Sequence, residues 1–516
     1  MLLFLGGIAF LVIGYFLYGK LVEKVFGPDD RETPAVKMAD GTDYVVLPRW
    51  KNMLIQLLNI AGLGPVIGVI LGIKFGTVAL IIIPLGCVLM GAVHDMAAGM
   101  MSIRDNGANL PKIVRKNLGL GYNVFFEWFL VILLLLVVAV FINIPANLIN
   151  TTVQDFCTPS DPVSAAAYEP VDFFWVSVVV IFCYYIIATM FPVDKIIGKV
   201  YPFFGLMLLV GTLAIFVALV IAGIKSPALL QESAAFKAGM WKPDTHPVFP
   251  LLFVTIACGI ISGFHATQAP IVARTMRSER EARATFYGMM VVEGIIGMIW
   301  AAAGLAIYNL YPQLMAESPN KALLEITKHF LGSGIGSVTV IAVIILAVTS
   351  GDTALRSTRL SLSEMLRIDQ KSVRNRILTC LPLIGLVSLL LWWSNASAKS
   401  FNHLWNYFAW GNQVLAASTL MAGVAWLVAR KRSPFIVLLP GTFMTFIVIC
   451  YILWTSPAHK QAYGFGLGLE QARDIALMGS FLFAMFAVLR GRDMARKRSL
   501  LWREPVAVRM TRKKRK

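Results

Sequence analysis

Charged side chains are scarce in this chain: they make up 14% of its 516 residues, against 58% hydrophobic. A soluble domain carries roughly 25% charged and 45–50% apolar residues. So few charges cannot cover a water-facing surface, which excludes a water-soluble globular protein and makes lipid the natural solvent. Cysteine is sparse too. Five of the six (Cys87, Cys183, Cys258, Cys380 and Cys450) lie inside or at the ends of apolar runs, and only Cys157 falls in a candidate external loop. Without any C-x-x-C spacing, neither a disulfide framework nor a zinc site is indicated. Also missing are H-E-x-x-H, G-x-S-x-G and a P-loop, and the loops are too short for a catalytic domain. This argues against a membrane-embedded enzyme, and no cofactor is expected.

What is present is apolar sequence in long runs. Thirteen of them, at about 1–18, 53–73, 77–101, 123–148, 172–191, 200–224, 248–271, 284–309, 335–355, 377–394, 401–429, 434–454 and 474–490, are long enough to cross a bilayer or nearly so. The fold class expected is an all-α polytopic membrane protein of about 13 transmembrane helices. Met1 to Tyr18 lacks a basic n-region and an A-x-A site and is followed by Lys20 and Lys24. It reads as an uncleaved anchor with its N-terminus outside.

The formal net charge is +18. Twelve of the 46 Lys and Arg lie between Arg490 and Lys516, just after the last apolar run. That is the footprint of a juxtamembrane tail at a bilayer surface rather than of nucleic-acid binding. With thirteen spans and an external N-terminus, 37 of the 46 basic residues fall in inside segments and 9 in outside ones. The positive-inside rule therefore supports a cytoplasmic C-terminus. Large apolar faces also permit a homodimer.

Two further segments look helical but too polar to span: Leu110–Leu118 inside and Lys321–Leu331 outside. Setting the first run aside and counting core spans from the second, they lie between core spans 2 and 3 and between core spans 7 and 8. Two five-helix halves of inverted topology place such segments five spans apart on opposite sides. The expected organisation is an extra helix (1–20), a cytoplasmic linker (21–52), a first repeat (53–225), a second repeat (226–429), two extra helices (430–490) and a basic tail (491–516).

In such a fold, core spans 1 and 6 are the discontinuous helices. Span 1 contains Asn59-Ile-Ala-Gly-Leu-Gly-Pro65-Val-Ile-Gly68. Span 6 contains Gly259-Ile-Ile-Ser-Gly263-Phe-His265-Ala-Thr267-Gln268-Ala-Pro270. Glycine and proline both weaken the backbone ladder, although small-xxx-small helix packing would use the same glycines. Candidate substrate groups are Asn59, Gly62, Gly64, Gly263, His265, Thr267 and Gln268. The imidazole suits proton coupling or a carboxylate contact, and half-helix N-termini favour an anionic group.

Ionisable residues inside apolar runs are functional candidates by default. Asp95 lies in core span 2 beside His94, with an ion pair to Arg104 as its bland alternative. Glu127 opens core span 3 and suits the interface. Glu293, deep in core span 7, is a proton-relay candidate. Asp352 stands four residues before Arg356, the spacing of a helical ion pair, among Thr349, Ser350 and Thr353.

The stretches Asp40-Gly-Thr-Asp-Tyr44, Leu57-Leu-Asn-Ile-Ala-Gly-Leu-Gly-Pro65 and Gly91-Ala-Val-His-Asp95 resemble the N-terminal signature of the carbon starvation protein A family. Ser262-Gly-Phe-His-Ala266, Ala269-Pro270, Thr349-Ser-Gly-Asp-Thr353, Phe401-Asn-His-Leu-Trp405 and Gly411-Asn-Gln-Val-Leu415 continue the resemblance in order. It implies a LeuT-like core of five plus five helices and uptake of short peptides or a pyruvate-like small carboxylate during carbon starvation. It also implies a candidate Na+ position where Thr349, Ser350 and Thr353 meet the backbone of broken span 1 near Ala61. Core span 5 offers no mid-membrane lysine to occupy it. The expected function is thus H+- or Na+-coupled import by alternating access, with a nutrient sensor or channel as the alternative.

Overall fold

The computed structural model describes residues 1–40, 44–158, 161, 171–190, 194–368, 372–459 and 461–503. The middle of the Asp40–Tyr44 motif and the basic tail beyond Arg503 lie outside the described residues. Among the described residues the chain is helical, with strand pairing limited to two isolated bridges, Glu32 to Ser278 and Leu47 to Met276.

The chain opens with α1 (Leu2–Phe16) and α2 (Tyr18–Phe26), which run on as one apolar span. Core span 1 follows as two half-helices, α3 (Arg49–Ile60) and α4 (Gly64–Phe75), bent by 55° at the break. Next come α5 (Ala79–Arg104), the short α6 (Leu110–Leu118), α7 (Leu120–Cys157), α8 (Phe174–Met190) and α9 (Asp194–Lys225). Core span 6 is again two pieces, α10 (248–260) and α11 (Gly263–Ala273). It leads to α12 (Glu279–Leu310), α13 (319–331), α14 (333–366), α15 (Val373–Ser394) and α16 (Ala398–Val428). The described chain ends with α17 (Phe435–Trp454) and α18 (Leu469–Arg503).

Among the described residues, ten helices are long and apolar enough to cross a membrane, or eleven with the bent pair α3–α4. The other two expected spans are the short α8 and the interrupted α10–α11, so the count of thirteen does not follow from helix length alone. The two amphipathic segments form helices, α6 over the expected residues and α13 up to Gly332, whose φ of +71° separates it from α14. Only glycine adopts that conformation without strain.

Basic loops gather at one end of the bundle. There Arg104 of α5 meets Glu279 of α12, Arg283 meets Glu23 of α2, and Arg432 donates to the carbonyl of Val25. At the opposite end Lys74 Nζ donates to the carbonyl of Met315, and Trp241 N–H to that of Lys74. The basic segments 20–51, 104–116, 274–283 and 430–432 thus meet at one end.

Candidate functional site

The first break follows from its sequence. Ala61 leaves the helix (φ −77°, ψ 57°), the Gly62 N–H turns back to the Ile60 carbonyl at 2.8 Å, and Pro65, which has no N–H, opens the second half-helix. The second break lies at Ile261 and Ser262, both extended (φ −169° and −132°), after a kink at Ile256. It therefore precedes Gly263. The break thus falls in the first part of the Gly259–Pro270 motif, and from Gly263 through Pro270 the chain is one continuous helix. Pro270 sits inside that helix, where it forfeits one backbone bond without marking the break.

Glycines let the two broken spans touch. A side chain at Gly64 would overlap Cys258, and one at Gly263 would overlap Leu415 and the backbone of Asn412 on α16. These contacts join core spans 1, 6 and 10 with the unwound segments at the centre.

Between them lies a small cavity lined by Asn59, Gly62 and Gly64 of span 1, Cys258, Ser262 and His265 of span 6, and Ser350 of α14. Phe141, Phe264, Phe408 and Asn412 also line it. Its space for a water-sized sphere is about 20 Å³, room for one water or ion. A larger solute needs the surrounding helices to move apart.

His265 joins the cavity to a buried polar chain. Its Nδ1 lies 3.1 Å from Asp95 Oδ2, and its Nε2 lies 3.6 Å from Glu293 Oε2. His94 Nδ1 stands 2.8 Å from Asp95 Oδ1. All four side chains are at most 2% exposed. Among the described residues Glu293 has no hydrogen-bond partner on either oxygen, and His94 Nε2 has none. Two carboxylates and two imidazoles shielded from water strongly penalise net charge, so proton number and charge at this site are coupled. The arrangement can hold and pass a proton between core spans 2, 6 and 7.

Asp95 thus pairs with the histidines and not with Arg104. Arg104 instead binds Glu279 through Nη2 at 2.6 Å and the Gly27 carbonyl at 3.0 Å. Ala61 is buried at the first break. Ser350 comes close enough to Gly62 that an added side-chain carbon would sit 3.8 Å from its hydroxyl. Thr349 and Ser350 both donate to the Leu346 carbonyl and Thr353 to that of Thr349, leaving hydroxyl lone pairs for a further partner. Of the three, only Ser350 lines the cavity. Asp352 pairs with Arg356 at 3.7 Å. Thr267 and Gln268 do not line the cavity: Thr267 donates to the Phe264 carbonyl and Gln268 Nε2 to Thr267. Glu127 accepts a bond from Asn123 at 2.8 Å, outside the buried cluster.

Asn412, Ser262, Cys258, the three phenylalanines and His94 were not singled out from sequence. The Gly411-Asn-Gln motif held the only signal for Asn412, since a neutral amide in a helix carries no charge penalty to betray it.

A family model described as "Carbon starvation protein CstA" matches residues 1–176, 158–328 and 315–450. An uncharacterized membrane protein of Haemophilus influenzae is 40% identical over 349 residues, covering 62% of this chain and 94% of that protein. Proteins named peptide transporter CstA from Mycobacterium tuberculosis and Bacillus subtilis are each 28% identical; the matches cover 60% and 58% of this chain but only 47% and 56% of theirs. The chain thus spans about half the length of those curated transporters. A manganese transporter of Eremococcus coleocola superposes with a TM-score of 0.53 at 13% identity, covering 89% of this chain and 99% of that one. At that identity the likeness speaks for a shared transporter fold alone.

Proposed function

Because the chain belongs to the carbon starvation protein CstA family, we propose that it is a secondary active transporter that imports short peptides or a small carboxylate such as pyruvate. The coarse reading, a multi-pass membrane protein of the transporter class, rests on the family and the fold. Peptide is the substrate class named for the relatives, and the half-helix N-terminus at Gly263 favours a carboxylate group on the cargo. The halves at 53–225 and 226–429 act as the two repeats, with the basic end cytoplasmic and the N-terminus outside in the bacterial inner membrane.

Protons are the coupling ion in this reading. The observation that carries it is the double attachment of His265, which lines the cavity and also meets Asp95 and Glu293. Cargo in the cavity and a proton on the chain behind it then act on the same imidazole, which links the two binding events. Sodium is the second reading, favoured by the closeness of Ser350 to Gly62.

Reconstitution in proteoliposomes tests the proposal. Pyruvate or a dipeptide should accumulate under an inwardly directed proton gradient without sodium. Accumulation that needs sodium and ignores pH selects the second reading. Flux that no ion gradient drives would sink both and leave a channel, and binding without flux would leave a sensor.

A further inference from the structure

A second opening lies on the flank of the bundle, away from the polar cavity. It is a groove of about 350 Å³ lined by Tyr18, Leu89, Met90, Phe435, Leu439 and Phe443, among others. Phe435, Leu439 and Leu89 are 63%, 68% and 40% exposed, so the groove opens sideways and its lining is apolar. Helix α17 runs along it from Phe435, next to the basic end, toward mid-bundle. From Phe435 to Phe443 it rises by roughly 12 Å, close to the depth of one leaflet's hydrocarbon.

The basic end of the groove carries a cluster of positive charge. Arg430, Lys431 and Arg432 immediately precede α17, and Arg432 ties that loop to α2 by donating to the carbonyls of Lys24 and Val25. Lys20, Lys24 and Lys431 are exposed. Basic residues at the bilayer surface attract anionic headgroups, and an apolar channel directly beneath them accepts an acyl chain.

We propose that this groove is a binding site for one anionic phospholipid of the cytoplasmic leaflet, with its acyl chain along Leu89, Leu439 and Phe443 and its phosphate at Lys24 and Lys431. The site abuts the transport machinery. Met90 lies five residues before Asp95, and the Phe443 ring centroid is 5.0 Å from that of Phe253 in the first half of core span 6. The choice of leaflet rests on the orientation proposed above. Labelling of Lys431→Cys by an impermeant maleimide, in a background without Cys157, tests that orientation separately.

The full chain is purified in detergent after incubation with phosphatidylglycerol and phosphatidylethanolamine, and retained lipids are counted by native mass spectrometry. One phosphatidylglycerol should persist in preference to phosphatidylethanolamine. Leu439→Trp, which fills the groove from an exposed position, should remove it. Phe435→Ala, which widens the groove, should weaken retention and serves as a second reading should the tryptophan variant fold poorly. Lys24→Gln and Lys431→Gln should each lower the headgroup preference by about fivefold. Equal retention of both lipids by the unmodified chain, or unchanged retention in folded Leu439→Trp and Phe435→Ala, overturns the site.

Discussion

His265 and Asp95 are separated by 170 positions in the chain, yet His265 Nδ1 lies 3.1 Å from Asp95 Oδ2 with both side chains buried. The contact ties the second half of a broken helix to an unbroken neighbour at the level of the cavity. Glu293 stands on the other side of the same ring, 3.6 Å from Nε2.

The first prediction concerns this chain of groups. Asp95→Asn and Glu293→Gln keep the side-chain shape but remove a proton acceptor. Coupling free energies between linked sites run at about 1–3 kcal/mol, so proton-driven accumulation should fall roughly 5- to 150-fold. Exchange of labelled for unlabelled substrate at equal pH needs no net proton movement and should fall far less. Equal losses of both activities would mean that these carboxylates only hold the fold.

How much of this was legible in the sequence depends on what each residue signals. Asp95, His265 and Glu293 announce themselves because an ionisable group inside an apolar run is costly and rare. Their mutual contact was not legible, since it depends on how three helices rotate against one another. The helix Leu110–Leu118 was readable as an amphipathic segment too polar to span. The Gly259–Pro270 motif contains the second break but does not show its position, since the extended turn falls at Ile261 and Ser262, which carry no local signature, and not at Pro270. Asn412 and His94 were passed over for the same reason: their meaning lies in what they face.

The second prediction tests the close approach of the broken spans. A methyl group at Gly263 meets Leu415 and the Asn412 and Ala416 backbone, and one at Gly64 meets Cys258. Overpacking of this kind costs about 1–3 kcal/mol, so Gly263→Ala and Gly64→Ala should lower the melting temperature in detergent and reduce transport. Gly6→Ala, with nothing within 4 Å of the added carbon, is the control and should behave as the unmodified chain.

The third prediction separates cargo contact from coupling. Asn412 lines the cavity and donates through Nδ2 to the Phe408 carbonyl, which leaves its oxygen facing Ser262 at 3.5 Å. Losing one hydrogen bond to a bound solute costs about 0.5–1.5 kcal/mol, so Asn412→Ala should raise KM by roughly 2- to 13-fold. The maximal rate and the response to the proton gradient should change little. A lowered maximal rate with an unaltered KM would place Asn412 outside the cargo site.

The last prediction concerns the strap between α2 and α3, which crosses the basic end. Its Thr33 hydroxyl donates to the Met276 carbonyl at 2.6 Å, its Leu47 N–H to the Thr275 carbonyl at 3.0 Å, and Thr275 to Asn52 Oδ1 at 2.7 Å. These bonds pin the end of α3 to the end of α11, so the two half-helices should move as one body when the cavity opens toward the basic end. The charged anchor is Glu279, fully buried, which binds Arg104 and accepts from the Asp29 N–H at 3.2 Å. Glu279→Arg should loosen the strap and expose residues 27–40 and 44–51 to limited proteolysis, and combining it with Arg104→Glu should restore protection only in part, because a carboxylate at position 104 cannot donate to the Gly27 carbonyl and faces Asp29. The strap should also resist mild acid. A hydrogen bond from Arg31 holds the Asp29 carboxyl well below its ordinary value of 3.8, against its own desolvation and with help from Arg104. A carboxyl whose pKa is depressed by folding contributes stability above its unfolded value and loses it only as pH falls through the lower, folded one. Protection of these segments should therefore persist down to the ordinary carboxylate range, and proteolysis that sets in near neutral pH would show that the anchor lies elsewhere.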